Sequence, residues 1–228
     1  MKRSSNILLI LAGLVMLSAG IYYSFHKTAY KTLPYYGERT LAAQHGESTA
    51  SGNDKHRLDT VYHTIADFAL LDQQGHTITQ KDIAGKIYVA DYFFANCKSI
   101  CPKMSNQLER VQARFKNEPA FCILSHTVDP MRDTVAAMAT YAKLHGADPG
   151  KWFFLTGDKK ELYDLARNSY LAVASKGDGG PEDFIHTEQF ALVDKSRHIR
   201  GFYDGTDSVE VNRLMADVEQ LLLSYKEK

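Results

Sequence analysis

Two cysteines, Cys97 and Cys101, lie four positions apart in the stretch ANCKSICPKM, and Pro102 follows at once. Three residues separate them, one more than in a thioredoxin-type redox motif. Such a pair can exchange electrons with another thiol pair, hold a soft metal ion, or form a plain disulfide. Proline suits the first helical position, where its missing N–H leaves nothing unpaired. The residue before a proline is biased away from helical angles. Cys101 is therefore expected at the N-cap of a helix, with Cys97 on the loop ahead of it. Both thiols then face the positive end of a helix dipole, which favours thiolate and lowers the pKa of at least Cys101. The thiolate is both nucleophile and metal ligand, so this geometry serves either chemistry. A three-residue gap also lets the sulfurs splay around an ion. Two soft thiolates select Cu(I) first, with Zn(II) as competitor. A third donor, most often imidazole, would complete a trigonal copper site.

Nine histidines could supply it. His26, His45 and His56 precede the globular part. His63 and His76 flank an N-terminal hairpin, His126 ends a strand, His145 sits in a polar loop and His198 in a C-terminal hairpin. For these the expectation is a surface or satisfied histidine. His186 differs. In FIHTEQFALVD it stands just before a strand and after the Pro/Gly-rich loop KGDGGPED. In a thioredoxin-like sheet the loop entering that strand packs beside the cysteine loop. In HTVDPMRDT, Asp129 and Arg132 read as a turn, a helix cap and a local ion pair. The other reading places Asp129 near the metal loop, shaping a partner surface. Cys122, in the apolar run AFCILSHTV, reads as a buried small hydrophobe.

The elements that must position these residues follow from apolar spacing. HTIADFALLDQQGHTIT reads as a hairpin turning at Asp72-Gln73-Gln74-Gly75. KIYVADYFF, residues 86 to 94, is a strand apolar enough to be buried on both faces. It delivers the cysteine motif. The helix after it carries Met104, Leu108, Val111 and Phe115 on one face. FCILSHTV is the next strand, then a helix from Thr134 to Leu144 capped by Asp133 or Thr134, then the strand WFFL. Asp158 caps KKELYDLARNSY. QFALVD and HIRGFY form a hairpin turning at Lys195-Ser196-Arg197. Asp207 or Ser208 caps a final helix with Val211, Leu214, Met215, Val218 and Leu222 inward. This alternation argues an α/β fold with a central mixed sheet, like thioredoxin with an extra N-terminal hairpin. A motif at a strand's C-terminal end, opening a helix, is where open α/β sheets place their sites.

The chain has 228 residues, 44% of them apolar, and equal numbers of basic and acidic side chains, 27 each. Nothing in that balance points to nucleic acid. Three cysteines are too few for a disulfide-stapled mini-domain. Lys2 and Arg3 precede an apolar stretch from Ile7 to Phe25, long enough to cross a bilayer as a helix. A cleaved signal peptide is the rival, with Ser18-Ala19-Gly20 as its small residues. The expected organisation is an anchor over residues 1 to 26, a flexible tether over 27 to 60, and a folded domain over 61 to 228. LPYYGE, residues 33 to 38, is an apolar island expected to dock on that domain. Either leader takes the domain out of the cytoplasm, where disulfides persist.

FFANCKSICPKM, VDPMRDT, FIHTEQFALVD and YDGTD together resemble the Sco/SenC family of membrane-anchored copper proteins. The resemblance spans residues 62 to 225 and the N-terminal anchor agrees. It implies a thioredoxin fold and copper, as Cu(I) first and Cu(II) second, bound by Cys97, Cys101 and His186. It implies delivery of that copper to the CuA site of cytochrome c oxidase subunit II or a similar cuproprotein, or reduction of that site's cysteines. Cys97 and Cys101 would then pair as a disulfide in the oxidised form, and thioredoxin-like reductants join the expected partners. It places a single-pass protein in the inner membrane with its domain on the periplasmic side. Where the family more often has Asp-His-Ser, this chain has Ile185-His186-Thr187. Thioredoxin-like oxidoreductases resemble one another in a cis-proline before the strand facing the cysteines; here His186-Thr187-Glu188 enters that strand, which argues against a general disulfide reductase. Three readings stand: a copper metallochaperone, a thiol–disulfide oxidoreductase or redox sensor, and a thiol peroxidase or zinc enzyme.

Overall fold

The computed structural model describes residues 13–20, 32–43, 58–172 and 184–226. Two compact units divide the chain, Met1–Leu33 and Pro34–Lys228. In the first, residues 13–20 are helical and the side chains of Leu14, Val15, Met16 and Leu17 are exposed. Among the described residues no helix is long and apolar enough to cross a membrane. The rest of the expected anchor, Ile7 to Phe25, lies outside the described residues.

The second unit is built on a five-stranded sheet. Its strands are β5 (Ile87–Phe93), β6 (Phe121–Thr127), β7 (Trp152–Leu155), β8 (Gln189–Val193) and β9 (Ile199–Asp204), in the order β7-β6-β5-β8-β9. β5, β6 and β7 run parallel, while β8 runs antiparallel to β5 and β9 antiparallel to β8. β5 and β6 are buried at every position, as their unbroken apolar runs require of central strands covered on both faces. Helix α1 (Ile100–Arg114) follows β5, α2 (Val135–Leu144) follows β6, α3 (Lys159–Asp164) follows β7, and α4 (Ser208–Lys226) closes the chain. Met104, Leu108, Val111 and Phe115 of the α1 stripe are all buried. Truncating Leu108 to alanine would cost about 2–5 kcal/mol. Thr134 caps α2 by accepting the Ala137 N–H, and Asp158 caps α3 by accepting the Glu161 N–H. Asp207 accepts the Val209 N–H at the start of α4, whose buried face is Val211, Leu214, Val218, Leu221 and Leu222, with Met215 only half-buried.

The N-terminal hairpin pairs β3 (Ala69–Leu71) with β4 (Thr77–Thr79), and Gly75 takes the positive φ of its turn. Leu71 and Thr156 exchange backbone hydrogen bonds of 2.8 Å. Gln73 extends this contact with its side chain, donating to the Trp152 carbonyl and accepting from the Phe154 N–H at 2.9 Å each. A carboxamide thus covers the edge of β7 that no strand pairs.

The expected tether is partly structured. β1 (Arg39–Ala43) pairs antiparallel with β2 (Leu58–Tyr62), so residues 39–43 and 58–60 of the 27–60 segment are strand, while residues 27–31 and 44–57 lie outside the described residues. A five-residue backbone ladder makes this pairing, and rings flank it: Tyr35 stacks on Tyr62 at 4.1 Å, and Arg39 lies 5.7 Å from the Tyr62 ring centre. The LPYYGE island docks as expected. Arg200 donates to the Pro34 carbonyl and its guanidinium sits 4.0 Å over the Tyr35 ring, while the Tyr36 N–H donates to the Ile199 carbonyl.

Candidate metal and thiol centre

β5 ends at Phe93, and the chain turns through residues 94 to 99 before α1 begins. The Cys97 N–H donates to the Phe94 carbonyl at 3.1 Å, which tightens this turn. Helix α1 starts earlier than proline chemistry implies. Ser99 is the N-cap, Cys101 lies inside the first turn, and Pro102 is the third helical residue. Proline is tolerated there because the first four N–H groups of a helix have no intrahelical acceptor. Cys101 therefore has a free backbone N–H, which donates to the Cys97 sulfur at 3.4 Å. The Ser99 hydroxyl stands 3.6 Å from the same sulfur.

These contacts make the two thiols unequal. Burial pushes Cys97 up, but the Cys101 thiol, the Ser99 and Cys101 N–H groups and the Ser99 hydroxyl all hydrogen-bond to its sulfur and bring it down to about 7. Cys101 is pushed up to about 12 by burial and by the hydrogen bond its S–H donates to Cys97. The expectation that the helix dipole would lower Cys101 is thus reversed: the residue on the loop gains the helix-end donors, and the one in the helix is the deeper of the two. All three cysteines are free thiols, so the structure shows the dithiol state. Cys122 is wholly buried in β6, as its apolar run requires.

His186 lies at the entrance to β8 with its ring exposed. It packs against Phe184 at 4.9 Å and Phe94 at 6.4 Å between ring centres. The topology therefore brings His186 to the cysteine loop, since Phe94 is three residues before Cys97. The three donors are not closed around one point: among the described residues no three His, Cys, Asp or Glu side chains are gathered so as to hold a metal ion. Two sulfurs in mutual contact and an imidazole close by nevertheless fit a soft, low-coordinate ion.

Asp129 and Arg132 form the local turn. Arg132 pairs with Asp129 at 3.6 Å with its own side chain largely in solvent, and the Asp129 carbonyl accepts the Arg132 and Asp133 N–H groups. The residue that reaches the cysteine loop is Asp133, read from sequence only as a cap. Both its carboxylate oxygens lie 3.2 Å from the Ala95 N–H, and Oδ2 accepts the Thr127 hydroxyl at 2.5 Å. Burial raises its pKa against these donors. A cavity of about 470 Å³, lined by Phe68, Gln80, Ile83, Tyr88 and Arg197 among others, lies at the opposite end of β5, and neither Cys97 nor Cys101 borders it. The two sulfurs are themselves buried where the chain leaves β5, with Cys97 slightly the more exposed of the pair.

The SCO1/SenC family model matches residues 57–223. The chain belongs to the SCO1/SenC family. The SCO1 protein homolog of Bacillus subtilis is 27% identical over 163 residues, 71% of this chain and 84% of that protein. The solved structure of BsSco, described as a member of the Sco family of cytochrome c oxidase assembly proteins with a disulfide switch, superposes with a TM-score of 0.60 at 27% identity, covering 70% of this chain and 93% of that one. Copper-bound ScoI of Arabidopsis thaliana gives a TM-score of 0.55 at 26% identity, covering 69% and 98%. With these likenesses, the mixed sheet is that of a thioredoxin-like Sco domain.

Proposed function

We propose that this protein is a copper metallochaperone. Its cargo is Cu(I), held by Cys97, Cys101 and His186 and passed by ligand exchange to the cysteines of a partner such as the CuA site of cytochrome c oxidase subunit II. The observation that carries this is the Cys97–Cys101 contact where the chain leaves β5, in which the Cys101 N–H donates to the Cys97 sulfur and such donors bring its pKa down to about 7. A thiolate ligand need not lose a proton before it binds a cation. Copper bound to the Arabidopsis relative and the assembly role of the Bacillus relative support the same cargo and destination. Residues 1 to 26 serve as a single-pass inner-membrane anchor, and the domain from Pro34 onward works on the periplasmic side. Lys2, Arg3 and the exposed apolar side chains of Leu14 to Leu17 support that placement.

A second reading has its own support. The split between Cys97 at about 7 and Cys101 at about 12 is that of an attacking and a resolving thiol. The Cys97 thiolate would attack a partner disulfide, forming a mixed disulfide and releasing the partner's other sulfur as thiolate. Cys101 would then lose its proton and attack Cys97, leaving a Cys97–Cys101 disulfide and a partner reduced by two electrons. The disulfide switch described for the Bacillus relative favours this as an accompanying activity.

The deciding experiment is an anaerobic Cu(I) titration of the reduced chain against a chromophoric chelator. One tight equivalent, abolished in Cys97→Ala and Cys101→Ala and weakened in His186→Ala, is expected. Tight binding retained in either cysteine variant would sink the assignment. Weak wild-type binding together with rapid reduction of a disulfide substrate would transfer the main role to thiol exchange.

A further inference from the structure

We propose that the cavity at the start of β5 is a second binding site, shaped for a small organic anion with an apolar body. It stands apart from the thiol centre and does not depend on the copper reading.

The cavity holds about 470 Å³, within the range of small-ligand sites. Three segments enclose it: the turn from Thr79 to Lys86 between β4 and β5, the β8–β9 turn from Asp194 to Arg197, and Asp67-Phe68 ahead of β3. β8 ends beside the start of β5, so the two turns meet at one end of the sheet while the cysteine loop leaves from the other. Phe68, Ile83 and Tyr88, all buried, make an apolar wall. Ala84 and Gly85 line the cavity and are exposed, so it opens there.

Charge favours an anion. Four basic side chains line the cavity, Lys81, Lys86, Lys195 and Arg197, against Asp67 and Asp194. Both carboxylates are already engaged, Asp67 by Arg197 at 2.6 Å and Asp194 by Arg200 at 2.7 Å. Asp82, on the same turn as the first two lysines, is taken up by the Thr79 N–H and hydroxyl. Lys81 and Lys86 make no salt bridge among the described residues.

The frame is fixed within the chain itself. Arg197 has a φ of 67°, in the left-handed region that favours glycine. Its carbonyl accepts the Ile65 N–H at 3.0 Å and its guanidinium holds Asp67. One residue in an uncommon conformation thus ties the β8–β9 turn to the segment before β3. The wall also leaves a polar group unsatisfied. Gln80 is buried with the Tyr88 hydroxyl close by, yet neither of its amide atoms has a hydrogen-bond partner among the described residues. A buried amide without partners is destabilising. A ligand with a polar atom at this wall would supply one, while its anionic head met Lys81 and Lys86.

The test uses the full metal-free chain and two fluorescent probes, anilinonaphthalene sulfonate and the uncharged phenylnaphthylamine. Ala84→Trp fills the opening from an exposed position. The double variant Lys81→Gln with Lys86→Gln removes two cations and leaves the core alone. Denaturant midpoints like that of wild type check that both variants are folded. One equivalent of the sulfonate should bind wild type and be lost in Ala84→Trp. In the lysine variant it should bind about three- to thirtyfold more weakly, the range of two exposed ion pairs. The uncharged probe should bind wild type more weakly than the sulfonate and be indifferent to the lysines. Amide resonances moved by the sulfonate should be those of residues 79 to 86 and 194 to 197. Sulfonate binding unchanged in Ala84→Trp, or resonances moved elsewhere instead, overturns the site. Equal affinity for the two probes, or sulfonate binding indifferent to the lysines, overturns the anion. A wild-type chain that binds no sulfonate overturns both.

Discussion

The carboxylate of Asp133 accepts the backbone N–H of Ala95, two residues before Cys97, from 38 positions along the chain. β6 runs parallel to β5, so the loop after β6 emerges beside the loop after β5. Asp133 uses that adjacency to fix the turn that aims Cys97 at the helix end. Asp133→Ala leaves the Ala95 N–H and the Thr127 hydroxyl without their acceptor. Unfolding free energy should fall by about 1–3 kcal/mol, read as a lower denaturant midpoint at unchanged slope. With the turn loosened, the Cys97 sulfur loses donors and its pKa should rise. Asp133→Asn should recover part of the stability, since its amide oxygen still accepts. A variant as stable as wild type would show that this contact is ornamental to the loop.

The inequality of the two thiols has a direct chemical readout. Alkylation by iodoacetamide follows the thiolate fraction. In the reduced, metal-free chain the rate should rise through a midpoint near pH 7 with Cys97 as the labelled residue, while Cys101 and Cys122 stay protonated. Cys101→Ala removes the thiol whose hydrogen bond does most to lower Cys97, so the midpoint should move upward. Peptide mapping that found Cys101 labelled first at neutral pH would reverse the roles assigned to the pair.

Much of this was legible in the chain. The strand and helix spacings give β5 to β9 and α1 to α4 nearly in place because a two-layered core imposes period 2 or 3.6 on its apolar residues. The cysteine pair was legible because proline and strand end bracket it. The inequality within the pair was not. It depends on which sulfur receives the helix-end N–H groups, and Pro102 points two residues too late to tell. Asp133 and the Phe94–His186 contact were also hidden, since each joins segments brought together only by the order of strands in the sheet. The β1–β2 pairing was missed for another reason: it is a backbone ladder that no alternation of apolar residues announces.

Arg200 joins the N-terminal segment to the domain. Its guanidinium donates to the buried Asp194 carboxylate at 2.7 Å, to the Pro34 carbonyl at 2.9 Å, and lies on Tyr35. Asp194 also accepts the Ser196 and His198 N–H groups, which shapes the β8–β9 turn. Arg200→Met keeps the side-chain length but strands Asp194 as a buried charge without its cation. The expected loss is about 3–5 kcal/mol. Residues 34 to 36 should become the preferred site of limited proteolysis, seen as an early N-terminal truncation by mass spectrometry. Asp194→Asn together with Arg200→Met should restore much of the stability while leaving the proteolysis, because only the stranded charge is removed. A double variant no more stable than Arg200→Met would refute this account.

Two buried groups on β5 and β6 make opposite demands on pH. Asp91 is buried, its carboxylate accepting the Ser125 hydroxyl, and burial raises its pKa to about 7. His126 is wholly buried, stacked on Tyr92 at 5.2 Å, and burial lowers its pKa to about 4. For Asp91 the folded value is the higher one, so its stabilising share is complete below the ordinary carboxylate range and is lost as pH rises to about 7. For His126 the folded value is the lower one, so its share is complete above 6.5 and is lost as pH falls to about 4. Each amounts to about 3–4 kcal/mol across its window. Between pH 4 and 6.5 the native chain holds a proton at Asp91 while the unfolded chain holds one at His126, and the two slopes cancel. Their joint contribution to wild-type stability should therefore be flat in that interval. Asp91→Asn removes one side of the balance. Its stability, taken from urea midpoints at pH 4.5, 5.5 and 6.5, should climb relative to wild type by about 1.4 kcal/mol per pH unit. His126→Phe should show the opposite slope. Parallel curves for wild type and Asp91→Asn would mean that Asp91 is ionised in the folded chain throughout this range.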